Sequence, residues 1–231
     1  MTTKRTFATN FTGGDSASLK FLDHSTGVAG YTHRWLAQRQ TPADAAVLSA
    51  FTPTTGTLAL SANGTGPTMQ TDEYANRCVR FDGVDDILTA SGLSDVQTLV
   101  VVARVKAASG TEQGIFHTGG TYAKRTTADT TALTISGTSS KFVSVNPNQP
   151  KYHVFSLAAT STTSRYAIDG TAAEVGASTG VHSQVTIGRA STAIFGNLDV
   201  YEVITYPTAL SLTDLTSIRT AMGARYGAAL A

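Results

Sequence analysis

Asp82, Asp85 and Asp86, gathered around Gly83, are the densest group of hard oxygen donors in the chain. Ca²⁺ takes roughly six to eight oxygen ligands, so these side chains would need help from elsewhere, with Asp95 a candidate, to hold the ion. The competing reading is structural: Asp82-Gly83 makes a tight turn whose amides the carboxylates accept from. The structural reading is preferred, so no cofactor is expected; Ca²⁺ is the one ion this cluster could admit. Asp199 and Glu202 are a second pair. Glycoside hydrolysis uses two carboxylates facing one sugar, which on a strand requires even spacing because side chains alternate. Three residues apart, these two are expected on opposite faces, with Glu202 a structural hydrogen-bond partner. Gly176-Ala177-Ser178-Thr179-Gly180 matches the G-x-S-x-G nucleophile elbow, but Val181-His182-Ser183-Gln184-Val185 leads into a strand where that elbow needs a helix, so a polar loop is expected. His24, His33, His117, His153 and His182 share no metal-ligand spacing, and Cys78 reads as a small core residue. No catalytic residue is assigned.

The elements that must carry these groups are mostly strands. Beyond residue 45, alternating or β-branched runs recur between turn signals, the spacing of a sandwich or barrel and not of βαβ units. Expected strands are Thr57–Leu60, Cys78–Phe81, Asp86–Thr89, Thr98–Val105, Gly114–His117, Ala132–Ser136, Lys141–Val145, Tyr152–Ala158, Ser164–Ile168, Thr171–Val175, Val185–Ile187 and Asn197–Thr205. Asp169-Gly170 supplies the positive φ angles of a tight hairpin. Only the end is helical, over about 211–226: Ser211 caps it, Asp214 follows three residues on, and Leu212, Leu215, Ile218, Met222 and Tyr226 share a face before Gly227 stops it. Such a helix is expected to plug the sandwich at an end or edge.

Composition agrees. The 231 residues include 38 Thr, 20 Ser and 21 Gly but 6 Pro, a mixture suited to strands and turns in one domain with a single core. With a formal net charge of +1 and only 14% charged residues, no broad field exists to recruit nucleic acid or a membrane surface. No apolar run of about eighteen residues occurs, and Met1 to Gly14 lacks the apolar stretch of a secretory signal, so synthesis in a cytoplasm without export is expected.

Val79-Arg80-Phe81-Asp82-Gly83-Val84-Asp85-Asp86-Ile87-Leu88, read with the closing Gly196-Asn197-Leu198-Asp199-Val200-Tyr201-Glu202-Val203-Ile204-Thr205-Tyr206-Pro207, Leu210-Ser211 and Tyr226-Gly227, resembles the concanavalin A-like, laminin-G-like jelly rolls. The resemblance covers roughly residues 45 to 227. It implies an all-β jelly-roll (concanavalin A-like) β-sandwich over residues 46–231, with an irregular N-terminal arm over 1–45 and a short C-terminal α-helix. Domains of this pattern are frequent in virion proteins of tailed bacteriophages. The resemblance therefore implies a non-enzymatic structural protein on a virion, first a capsid decoration or minor capsid protein that binds the major capsid protein and self-associates, a trimer suiting the lattice. The alternative is a minor tail or receptor-binding protein whose lectin-like domain touches host glycans; a glycan hydrolase ranks third. For sugar contact, Tyr122, Tyr152, Tyr166 and Trp35 are the available aromatics.

The arm carries Phe7, Phe11, Phe21, Tyr31 and Trp35, too irregular for a core of its own. These rings are either anchors for a partner or packing for the following sandwich.

Overall fold

The computed structural model describes residues 26–106, 110–119, 121–126, 131–135, 141–143, 152–159, 164–169, 171–174, 182–191 and 193–226. Strands β1 (His33–Leu36), β2 (Ala50–Phe51), β3 (Leu60–Asn63), β4 (Thr68–Thr71), β5 (Arg77–Asp82) and β6 (Ile87–Val96) lead into β7 (Thr98–Val105). Then come β8 (Gln113–His117), β9 (Thr121–Arg125), β10 (Thr131–Ile135), β11 (Lys141–Val143), β12 (His153–Ala158), β13 (Arg165–Ile168) and β14 (Thr171–Glu174). Finally β15 (His182–Ile187), β16 (Arg189–Ser191), β17 (Ile194–Phe195) and β18 (Asn197–Tyr206) precede the helix α1 (Leu212–Tyr226).

Two antiparallel sheets result. One runs β14-β13-β12-β7-β18-β5-β4, with β1 pairing the far half of β18 where β5 leaves off; the other runs β11-β10-β9-β8-β15-β6-β3-β2. Their inner faces meet in one cluster that includes Val79, Phe81, Val101, Phe155 and Val203 from the first sheet and Leu60, Leu88, Phe116 and Val185 from the second. Each such side chain contributes roughly 1.5–3 kcal/mol by leaving water. β7 is buried at every position, as its unbroken Leu99-Val100-Val101-Val102-Ala103 run requires of a strand covered on both faces.

The second cover is the helix. Ser211 and Asp214 cap it reciprocally: Ser211 N–H donates to Asp214 Oδ2 at 3.0 Å and Asp214 N–H to Ser211 Oγ at 3.2 Å. Leu215, Ile218, Met222 and Tyr226 then pack with Val100, Val102, Tyr152, Val154 and Ile204. This is the outer face of the first sheet, so the helix is a third layer and not a plug at an end or edge. Leu212, expected on its buried stripe, is instead 43% exposed.

The arm also departs from expectation within its described part. His33–Leu36 is a full strand of the first sheet, registered from His33 opposite Thr205 to Leu36 opposite Glu202. The two-residue turn after β13 is as expected: Ile168 pairs Thr171 and Asp169 takes φ +50.

Candidate functional site

The outer face of the first sheet carries charge under and beside the helix. Asp199 is fully buried there. Arg80 Nε and Nη2 donate to its Oδ1 and Oδ2 at 2.7 and 3.1 Å, and Arg104 Nη2 donates to Oδ2 at 2.7 Å. Burial pushes this carboxyl up, but the hydrogen bonds from Arg80 and Arg104 outweigh it and hold Asp199 below the usual carboxylate value. Arg104 also pairs Glu73, and Lys106 Nζ lies 3.9 Å from Asp199 Oδ2.

Glu202 lies on the same face as Asp199, against the expectation from strict alternation. The pairing of β18 with β7 shifts register between Val200 and Glu202, so Tyr201 is an extra residue and the side-chain order slips by one. Leu198, Val200 and Val203 thus point to the inter-sheet core while Tyr201 and Ile204 join the helix layer. Glu202 is 0% exposed and takes hydrogen bonds from Arg34 Nε at 2.7 Å, Tyr226 Oη at 3.2 Å and Arg225. Two carboxylates on one face meet the first requirement of glycosidase chemistry. Both, however, are sealed from solvent and neutralised by arginines, so neither can reach a sugar. Glu202 is the structural partner expected, in mid-strand.

At one end of this face the β4–β5 turn is locked by Asp72. Its Oδ1 accepts Tyr74 N–H at 2.9 Å and Asn76 N–H at 2.8 Å, and its Oδ2 accepts the Tyr201 hydroxyl at 2.9 Å and the Tyr152 hydroxyl. Asn76 Nδ2 donates to Tyr152 Oη at 2.8 Å, and Ala75 takes φ +61 at the crest. The turn holds out Tyr74, 48% exposed, edge-on to the buried Tyr152 ring at 5.9 Å. It is the one aromatic among the exposed large apolar side chains of the described residues.

At the other end is an open cleft of about 610 Å³, within the range of ligand pockets, lined by Thr65, Thr68, Arg80, Asp82, Lys106 and Asn197 among others. The aspartate triplet borders it. Its ligand oxygens lie within 4.8 Å of one another, yet they are engaged as the structural reading expects: Asp82 Oδ1 accepts Val84 N–H at 2.8 Å, Asp86 Oδ2 accepts Asp82 N–H at 3.0 Å, and Asp85 Oδ1 accepts Thr65 Oγ1 at 3.2 Å. Gly83, at φ +84 where a side chain would be strained, makes the crest of that turn, and a Cβ there would come within 3.0 Å of Asn197 Cβ. Burial pushes the Asp86 carboxyl up, against the bond from Asp82 N–H.

The other sequence candidates are dispersed. Trp35 is 0% exposed, sits in the inter-sheet core and donates Nε1–H to Leu58 O at 3.0 Å, so of its two readings the structure takes packing over partner anchoring. Tyr31 packs edge-on to Tyr206 at 6.2 Å. Phe7, Phe11 and Phe21, His24, the Gly176 to Gly180 segment and Gly227 lie outside the described residues. Tyr152 and Tyr166 are buried and Tyr122 half-buried beside His117, so none of the aromatics proposed for sugar contact matches Tyr74 in exposure. The signal for Tyr74 was present as Asp72-Glu73-Tyr74-Ala75-Asn76, an Asx-type turn with an aromatic at its tip. Cys78 is buried in the helix layer, and burial pushes its thiol up, as befits an inert core cysteine.

Two packed antiparallel sheets in this order define a β-sandwich of the jelly-roll kind. Among solved structures the chain is similar to Trypanosoma rangeli sialidase in complex with sialic acid, at 10% identity and a TM-score of 0.66 over 87% of this chain and 34% of that one. It is also similar to the binding domain of botulinum neurotoxin DC in complex with SialylT, at 9% identity and a TM-score of 0.60 over 86% of this chain and 52% of that one. A third likeness is to botulinum neurotoxin type C, described with two ganglioside molecules, at 10% identity and a TM-score of 0.59 over 84% of this chain and 51% of that one. The chain thus spans about a third of the sialidase and about half of the toxin chains, and at such identities the likeness shows the fold alone. No family model and no curated protein matches the sequence.

Proposed function

We propose that this chain is a non-catalytic carbohydrate-binding module, the lectin-like receptor-binding alternative among the sequence expectations. The observation that carries it is Tyr74: an exposed ring fixed by a turn that Asp72 holds with four hydrogen bonds. A rigid ring offers a flat apolar face to the C–H side of a sugar without losing freedom on binding, and Glu73 and Asn76 beside it supply polar groups for hydroxyls. The burial of Asp199 and Glu202 supports binding without hydrolysis. The neighbours support it from outside the molecule, since those named above are described with sialic acid, SialylT and gangliosides.

In the bacteriophage setting that the jelly-roll resemblance implies, such a module belongs on a tail or receptor-binding protein facing host glycans. Attachment to a capsid shell, the first sequence expectation, draws no comparable support from the described residues. The test is a glycan array of bacterial cell-wall and capsular saccharides probed with the wild-type chain and Tyr74→Ala. Binding that falls by about tenfold or more in the variant supports the module, the loss expected of a central aromatic contact. A blank array, or binding indifferent to Tyr74, overturns it.

A further inference from the structure

The cleft beyond Arg80 holds a partly exposed cation, Lys106, that its neighbours pair only loosely. Asp199 faces Arg80, Arg104 and Lys106, of which Arg104 also pairs Glu73, and Asp82 and Asp86 line the same cleft. The two arginines take its oxygens at hydrogen-bond distance, while Lys106 Nζ stays at 3.9 Å and, among the described residues, has no hydrogen-bond partner. Its main chain is fixed: Lys106 N–H donates to Asn197 O at 2.9 Å, and the side chain is 30% exposed at the cleft wall. An ammonium carries three donors and wants acceptors. The cleft is also lined by groups that accept from or donate to hydroxyls: the exposed Asp82 carboxylate, whose Oδ1 accepts Val84 N–H, with Thr65 and Thr68.

The geometry points to this cleft as a subsite for an acidic sugar, its carboxylate on Lys106 and its hydroxyls on Asp82 and Asn197. This deepens the carbohydrate reading and rests on it. Tyr74 and the cleft lie toward opposite ends of the paired strands β4 and β5, and β5 alone runs for roughly 20 Å at about 3.3 Å per residue. A single extended oligosaccharide can therefore lie on the ring and place an acidic unit by Lys106.

The test is calorimetry with oligogalacturonate and with the same oligomer fully methyl-esterified, a neutral isostere. The wild-type chain is expected to bind the acid at least about tenfold more tightly than the ester, the worth of one charge-assisted hydrogen bond. Lys106→Gln should abolish that preference by bringing acid binding down to the level of the ester, and Lys106→Arg should retain it. Equal binding of acid and ester by the wild-type chain, or a preference that survives in Lys106→Gln, overturns the acidic subsite while the neutral-sugar reading stands. A wild-type chain that binds neither probe and is also blank on the glycan array overturns both.

Discussion

Arg80 grips Asp199 with both ends of its guanidinium fork, Nε to Oδ1 at 2.7 Å and Nη2 to Oδ2 at 3.1 Å. Removing one member of a buried pair costs far more than the pair is worth against an apolar replacement, because the partner charge stays buried. Asp199→Asn, nearly isosteric, leaves the 5%-exposed Arg104 facing a neutral amide. It is expected to destabilise the fold by about 3–5 kcal/mol in urea unfolding. A loss within about 0.5 kcal/mol, the range of ordinary surface changes, would remove Asp199 from the structural core of the face.

Acid should weaken the fold in two stages. Burial holds the 2%-exposed His182 below its ordinary value of 6.5, so the unfolded chain takes that proton first and stability drops as pH falls through about 6.5. Asp199 is also held low, but as an acid: its contribution is full above the usual carboxylate value near 4 and is lost as pH falls through its lower folded value. Asp86, held high by burial, opposes this second loss. Melting temperatures from pH 8 to pH 3 should fall gently below 6.5 and steeply below about 4. Burial also holds His33 and His117 low, so His182→Gln should reduce the first stage without removing it and leave the second intact, and an unchanged first stage would assign it to the other two.

Truncation should separate the two parts of the expected arm. A chain beginning at Thr26 keeps β1, the Trp35 core contact and the Tyr206 hydroxyl bond to Thr26 Oγ1 at 3.1 Å, so it should fold. A chain beginning at Thr41 loses the strand and the indole, the latter alone worth about 3–5 kcal/mol, and should not fold stably. Circular dichroism on the two truncations checks both, and a stable Thr41 chain would place Trp35 outside the essential core.

The Asp82 turn should stand without metal. Its carboxylates are engaged by Val84 N–H, Asp82 N–H and Thr65 Oγ1, which is the stabilisation a cation would otherwise supply. Melting in chelator and in millimolar Ca²⁺ is expected to coincide, with no heat on titration. A rise in melting temperature with Ca²⁺ that Asp85→Asn removes would assign the ion to this cluster.

Local rules read from the sequence carried far into the fold. Thr98–Val105 was legible to the residue as a strand, because an unbroken β-branched run suits the extended backbone; that the helix covers its outer face was not. The Asp169 turn and the Ser211–Asp214 cap were legible because their partners lie within three residues. What a few residues cannot encode is which distant strand arrives beside them. Trp35 became core because β1 pairs residues some 170 positions away on β18, and Glu202 joined the face of Asp199 because of one extra residue opposite β7. Tyr74 became the outstanding exposed ring only once Tyr152 and Tyr201, far along the chain, closed on Asp72 beneath it. Hydrophobic period and turn chemistry are short-range and survive in the bare sequence; the charge network and the presented ring depend on long-range register, which tertiary packing alone selects.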